Sequence, residues 1–164
     1  MNCFPSYSRG ERVADTCVHV VGVGAGLIGT EVLLVAAAQQ QDNFLLILGV
    51  LLYGFGLLAM LGVSALYNTT VPSSRKALFR RLDHATIFVM IAGSYTPFAL
   101  NSLGDARSHG LLVFVWLAAL TGTALKLRAP QRLRSGFSTA LYLLLGWSGL
   151  LVFKPLFGVL PRLS

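Results

Sequence analysis

The chain has 164 residues, of which 55% are apolar and 12% charged, against the roughly 25% charged residues of a soluble domain, and its mean hydropathy is +0.71. That excludes a disordered polar chain, a disulfide-stapled secreted module and an ordinary water-soluble enzyme domain. With 13 Lys+Arg against 6 Asp+Glu the net charge is +7, yet the cations sit in short clusters between long apolar runs. A nucleic-acid module needs a solvated basic face, so the lipid bilayer is the expected partner and nucleic acid is not.

Residues 1–16 read as a polar cytoplasmic segment and residues 17–164 as one transmembrane helical domain. The polar start lacks the basic opening, short apolar core and small-residue cleavage site of a signal peptide. A membrane-spanning helix needs about 20 mostly apolar residues to cross about 30 Å of hydrocarbon. Five stretches qualify: about 17–38, interrupted by Glu31; 44–67, without charge; 84–100, containing Pro97; 110–125; and 137–152, with a continuation through Lys154 and Pro155 that resists classification. The fold class is therefore all-α, a polytopic helical bundle. Cys3 and Cys17 make no disulfide framework, and Cys17 reads as a small hydrophobe. The Gly22/Gly26 and Gly24/Gly29 pairs read as sites of close helix packing. In GSYTPF, Pro97 marks an expected break or bend, with Ser94 and Thr96 placed to satisfy freed carbonyls.

Numbering the loops alternately from the N-terminus puts ten cations on its side, from Arg9 to Arg134, and three on the other, Arg107, Lys154 and Arg162. The positive-inside rule then orients the N-terminus to the cytoplasm of a protein integral to the cell membrane, with the C-terminus outside.

Polar groups gather at the cytoplasmic ends of three helices. Glu11, Asp15 and His19 are four apart, as are Ser64 and Asn68, and Asp83 and His84 follow Arg80 and Arg81. Side chains four apart share a helix face. Carboxylate, imidazole and hydroxyl groups at one depth are the raw material of a metal or hydrolytic site. Each also has a plainer reading. Asp83 suits a helix start beside arginines, the histidines suit the interface, Glu11 and Asp15 suit a solvated face, and Ser64 suits a bond to its own helix. Glu31 is deep in the outer half, without a named partner.

RRLDHATIFVMIAGSYTPF (Arg80 to Phe98) closely resembles the hemolysin III family signature. YSRGERVADTCVHVVG (Tyr7 to Gly22), SALYN (Ser64 to Asn68) and LYLLLGWSGLLVFKPL (Leu141 to Leu156) resemble that family's lead into helix one, its helix-two motif and its fifth helix. The family belongs to a superfamily with the progestin and adiponectin receptors and alkaline ceramidases. The resemblance implies a seven-helix bundle with a cytoplasmic N-terminus. It also implies zinc held by three histidines, one from Ser-x-x-x-His on helix two and two from His-x-x-x-His on the last helix. A serine and an aspartate beside the metal imply hydrolysis of a lipid amide.

Carried over by position, Ser64 matches the serine and Asp83 the aspartate, while Asn68 stands at the histidine position. A carboxamide oxygen is a poor substitute for imidazole on zinc. His19 and His84 occupy no ligand position, and the implied helices six and seven lie beyond Ser164. The expectation is a truncated or degenerate hemolysin III-type membrane protein with no cofactor, associating with itself or with another membrane protein. One alternative is a zinc-dependent hydrolase of lipid amides with Asp83 as base or orienting group and Ser64 as hydrogen-bonding partner. A membrane-lytic protein is the other, although no span carries the polar stripe of a water-filled pore.

Overall fold

Ser8 opens the first helix through a reciprocal cap. In the computed structural model its Oγ accepts the Glu11 N–H at 3.2 Å, and the Glu11 carboxylate accepts the Ser8 N–H at 2.7 Å, which satisfies two donors that a helix start leaves orphaned. The bond from the Ser8 backbone, helped by its hydroxyl, holds the Glu11 carboxyl below the usual carboxylate range. The structure describes residues 8–40, 43–71, 73–101, 106–128 and 135–153; Cys3, Lys154 and Pro155 lie outside them. Helix α1 runs Arg9–Ala38 and α2 runs Phe44–Thr69, capped by Asn43 Oδ1 on the Leu46 N–H at 3.0 Å. Then come α3 (Ser74–Asn101), α4 (Ala106–Arg128) and α5 (Ser135–Phe153). Because α1 begins well before its apolar run, Glu11, Asp15 and His19 all sit on one continuous helix.

The chain is an all-α bundle. Among the described residues α1, α2 and the Ser108–Arg128 part of α4 are long and apolar enough to cross a membrane. Helix α3 starts ten residues before its apolar stretch, and Arg75, Lys76, Arg80, Arg81 and Asp83 dilute its first turns. Successive helices α1 to α4 pack antiparallel. Gly26 lies by Leu61 and Gly54 by Thr30 between α1 and α2, Gly49 lies by Pro97 and Gly56 by Met90 between α2 and α3, and Gly122 lies against Phe88 between α3 and α4. Hydrogen bonds from Trp116 Nε1 to Thr96 Oγ1 (3.1 Å) and from Thr123 Oγ1 to the Ala85 carbonyl (3.2 Å) hold α4 on α3. Helix α5 runs parallel to α3, tied by the Tyr95 hydroxyl donating to the Leu145 and Gly146 carbonyls at 2.7 Å. The core sits there, in Phe88, Ala92 and Tyr95 of α3, Val115 and Ala119 of α4, and Leu145 of α5. Among the described residues helix α1 packs on α2 alone to any extent, and its Val20, Val21, Ile28 and Val32 are exposed, as a hydrocarbon-facing helix requires.

Two sequence expectations need correction. Of the break or bend expected at Pro97, the break does not occur, because α3 is continuous from Ser74 to Asn101. Proline costs the helix one donor and crowds the preceding turn. Ser94 Oγ and Thr96 Oγ1 donate to the Ile91 and Ala92 carbonyls at 2.7 and 2.9 Å and not to the Gly93 carbonyl that the proline leaves without its N–H, while the facing α2 residue is Gly49. A Cβ there would stand 2.7 Å from Pro97 Cα, so the missing side chain makes room for the proline. The second correction concerns Gly24 and Gly29. Gly26 does allow a close approach, 2.9 Å from a Leu61 methyl to where its Cβ would be, but Gly24 and Gly29 have nothing within 4 Å among the described residues. They lie off the one face of α1 that meets α2.

Candidate functional site at one end of the bundle

The α1–α2 register carries His19 to Asn68. Asn68 Nδ2 lies in hydrogen-bond contact with His19 Nε2 at 2.8 Å. Asp15 Oδ1 stands 3.4 Å from the same ring nitrogen; the His19 side chain is 15% exposed and that of Asp15 45%. The two i, i+4 stripes recognised in the sequence therefore meet across two helices. Beside them is a cavity of about 460 Å³ bordered by Glu11, Arg12, Asp15, Val18, Asn68 and Thr69.

Asp83 and His84 form a second group. Asp83 Oδ2 is 3.6 Å from His84 Nδ1, within electrostatic reach and too long for a hydrogen bond. His84 Nδ1 is buried without a hydrogen-bond partner among the described residues. The His84 carbonyl accepts from the Tyr142 hydroxyl at 2.7 Å. Continuing the Gly56–Met90 register by two turns brings half-buried Ser64 level with Leu82 and Asp83. The structure thus gathers the expected residues at one end of the bundle as two groups, one across α1 and α2 and one on α3 beside α5. Glu31 is exposed on α1, away from both.

Tyr142, Lys76 and Lys126 were missed by sequence reasoning. Lys76 folds back so that its Nζ donates to the Thr70 carbonyl at 2.9 Å and sits 5.3 Å from the Tyr67 ring centroid. A cation so placed complements the carbonyl end of α2. Lys126 is 5% exposed at the end of α4. Both appear in the sequence only as members of loop charge clusters, with nothing to mark them as buried.

For a zinc ion the donors among the described residues do not fit. The Asn68 amide nitrogen has no lone pair to offer and is engaged with His19, whereas zinc takes histidine nitrogen and thiolate sulfur. Among the described residues no three His, Cys, Asp or Glu side chains are grouped to hold a metal.

These elements define a helical membrane protein with polar groups collected at one end of the bundle. A family model described as haemolysin-III related matches residues 10–164, and the chain belongs to the hemolysin III family. It is 31% identical over 150 residues to the hemolysin-3 homolog of Bacillus subtilis (strain 168), a match covering 92% of this chain and 70% of that protein. To the hemolysin-3 of Bacillus cereus it is 30% identical over 148 residues, 90% of this chain and 66% of the relative. No solved structure matches it significantly.

Proposed function

We propose that this chain is a non-catalytic hemolysin III-type membrane protein, in which a hydrogen bond between α1 and α2 takes the place that the family resemblance gives to a zinc ligand. The observation behind this is the 2.8 Å bond from Asn68 to His19. It joins the two helices by setting an amide nitrogen, which has no lone pair for a metal, at the place where a zinc ligand would have to offer one. Its partners on this reading are the bilayer and, along the exposed face of α1, a second copy or another membrane helix. Elemental analysis of protein purified without chelators is expected to find far less than one zinc per chain. A stoichiometric zinc removed only by strong chelators overturns the reading.

The hydrolase alternative keeps one supporting observation, the common level of Ser64 and Asp83. Turnover of a lipid amide that falls at least a hundredfold in both Ser64→Ala and Asp83→Asn would favour it. The membrane-lytic alternative has only the relatives' names behind it.

For orientation, the same proposal puts the N-terminus and the α2–α3 turn in the cytoplasm. A reporter active only in the cytoplasm is expected to be silent when fused at Gln41 and active at Ser73. The reverse pattern inverts the topology.

A further inference from the structure

Two cavities lie end to end along the seam between α1 and α2. The first, beside Asp15 and Asn68, is the more polar of the two. The second, about 530 Å³, is bordered by Val23 of α1 and by Leu58, Gly62, Ala65, Leu66 and Thr69 of α2. Thr69 borders both. Arg12, Thr16 and Val23 on one helix, and Leu58, Gly62, Ala65 and Thr69 on the other, recur at three-, four- and seven-residue steps, so each set lies on one helix face. The stretch from Arg12 to Val23 spans about 17 Å of helix rise. A Cβ at Gly62 would meet nothing within 4 Å, so this glycine keeps the apolar half open.

Chemistry changes along the seam. At the end that the charge pattern assigns to the cytoplasmic membrane surface, two acids, Glu11 and Asp15, and one base, Arg12, border the cavity. Below Thr69 the lining is aliphatic. A ligand that fits has a head carrying both signs of charge and a hydrocarbon tail. An anionic headgroup would bring its charge against two carboxylates, and a quaternary ammonium has no N–H to donate to them. A primary ammonium next to a phosphate satisfies both signs.

We propose that the α1–α2 seam binds one phospholipid of the cytoplasmic leaflet with an ethanolamine headgroup. Its ammonium lies toward Asp15 and Glu11, its phosphate toward Arg12, and one acyl chain runs along Val23, Gly62 and Leu66. This goes beyond the reading of Asn68 and does not depend on it.

Native mass spectrometry tests it on the full chain released from nanodiscs of equal phosphatidylethanolamine and phosphatidylglycerol. One phosphatidylethanolamine per chain is expected to remain, at least fivefold over phosphatidylglycerol. Gly62→Leu fills the apolar half without straining the helix, and is expected to lower the retained lipid at least tenfold with the thermal midpoint unchanged or raised. Ala65→Phe serves the same purpose should Gly62→Leu not fold. Asp15→Asn and Arg12→Gln are expected to keep a lipid but lose the preference for ethanolamine. Equal retention of the two lipids by the unaltered chain overturns the proposal, as does wild-type retention in a folded seam-filling variant or an unchanged preference in both head-end variants. Zinc content, read on the same samples, separates this outcome from that for Asn68.

Discussion

Phe88→Ala is expected to lower the stability of the bundle by about 3–5 kcal/mol, the range for emptying a buried aromatic site. Phe88 is 1% exposed. It occupies the space left by Gly122, where a Cβ would stand 2.6 Å from the ring, and meets the Tyr142 ring edge-on at a centroid distance of 4.5 Å. Three helices thus converge on one side chain, and alanine leaves a hole that none of them fills without shifting the others. Tyr142→Phe provides the scale: it keeps the ring and loses only the hydroxyl bond to the His84 carbonyl, about 1 kcal/mol. Reversible unfolding in mixed detergent micelles measures both. A Phe88→Ala loss no larger than that of Tyr142→Phe would place the core elsewhere.

One chemical change at two glycines should have opposite results. Gly49→Ala is expected to cost about 2–3 kcal/mol by overpacking, because its new methyl meets the Pro97 Cα and N at 2.7 and 3.1 Å. Backbone atoms cannot rotate away, so α2 and α3 must separate. Gly24→Ala meets nothing and is expected to stabilise the helix by about 0.5–1 kcal/mol, the usual difference between the two residues in a helix interior. The same unfolding assay reads both. Similar losses at the two positions would mean that α2 does not lie against α3 as described.

The sequence revealed what depends on one helix at a time. Apolar run length gave the five helices and their order, and the four-residue rule gave the stripes Glu11–Asp15–His19 and Ser64–Asn68. It placed the start of the third span at about 84, and the helix that carries it begins at Ser74; hydropathy marks where a helix enters hydrocarbon, not where its hydrogen bonds begin. The bond between His19 and Asn68 was not legible, because it depends on the register between two helices, and interhelical register is set by side-chain packing. Glycine spacing failed for a related reason. Small residues matter only on a face that meets a neighbour, and composition does not show which face does. Gly49, silent as a motif, turned out to decide how Pro97 is accommodated.

The lopsided packing of the bundle has a consequence during synthesis. The consolidated core belongs to the third, fourth and fifth helices, which leave the ribosome after the first two, while among the described residues the first helix leans on the second alone. A chain inserted from its N-terminus therefore releases its opening hairpin into lipid before the platform that steadies it exists. In that interval the small interhelical amide–imidazole contact at the hairpin's mouth and the glycine fits of Gly26 and Gly54 further along help to keep the two rods in register.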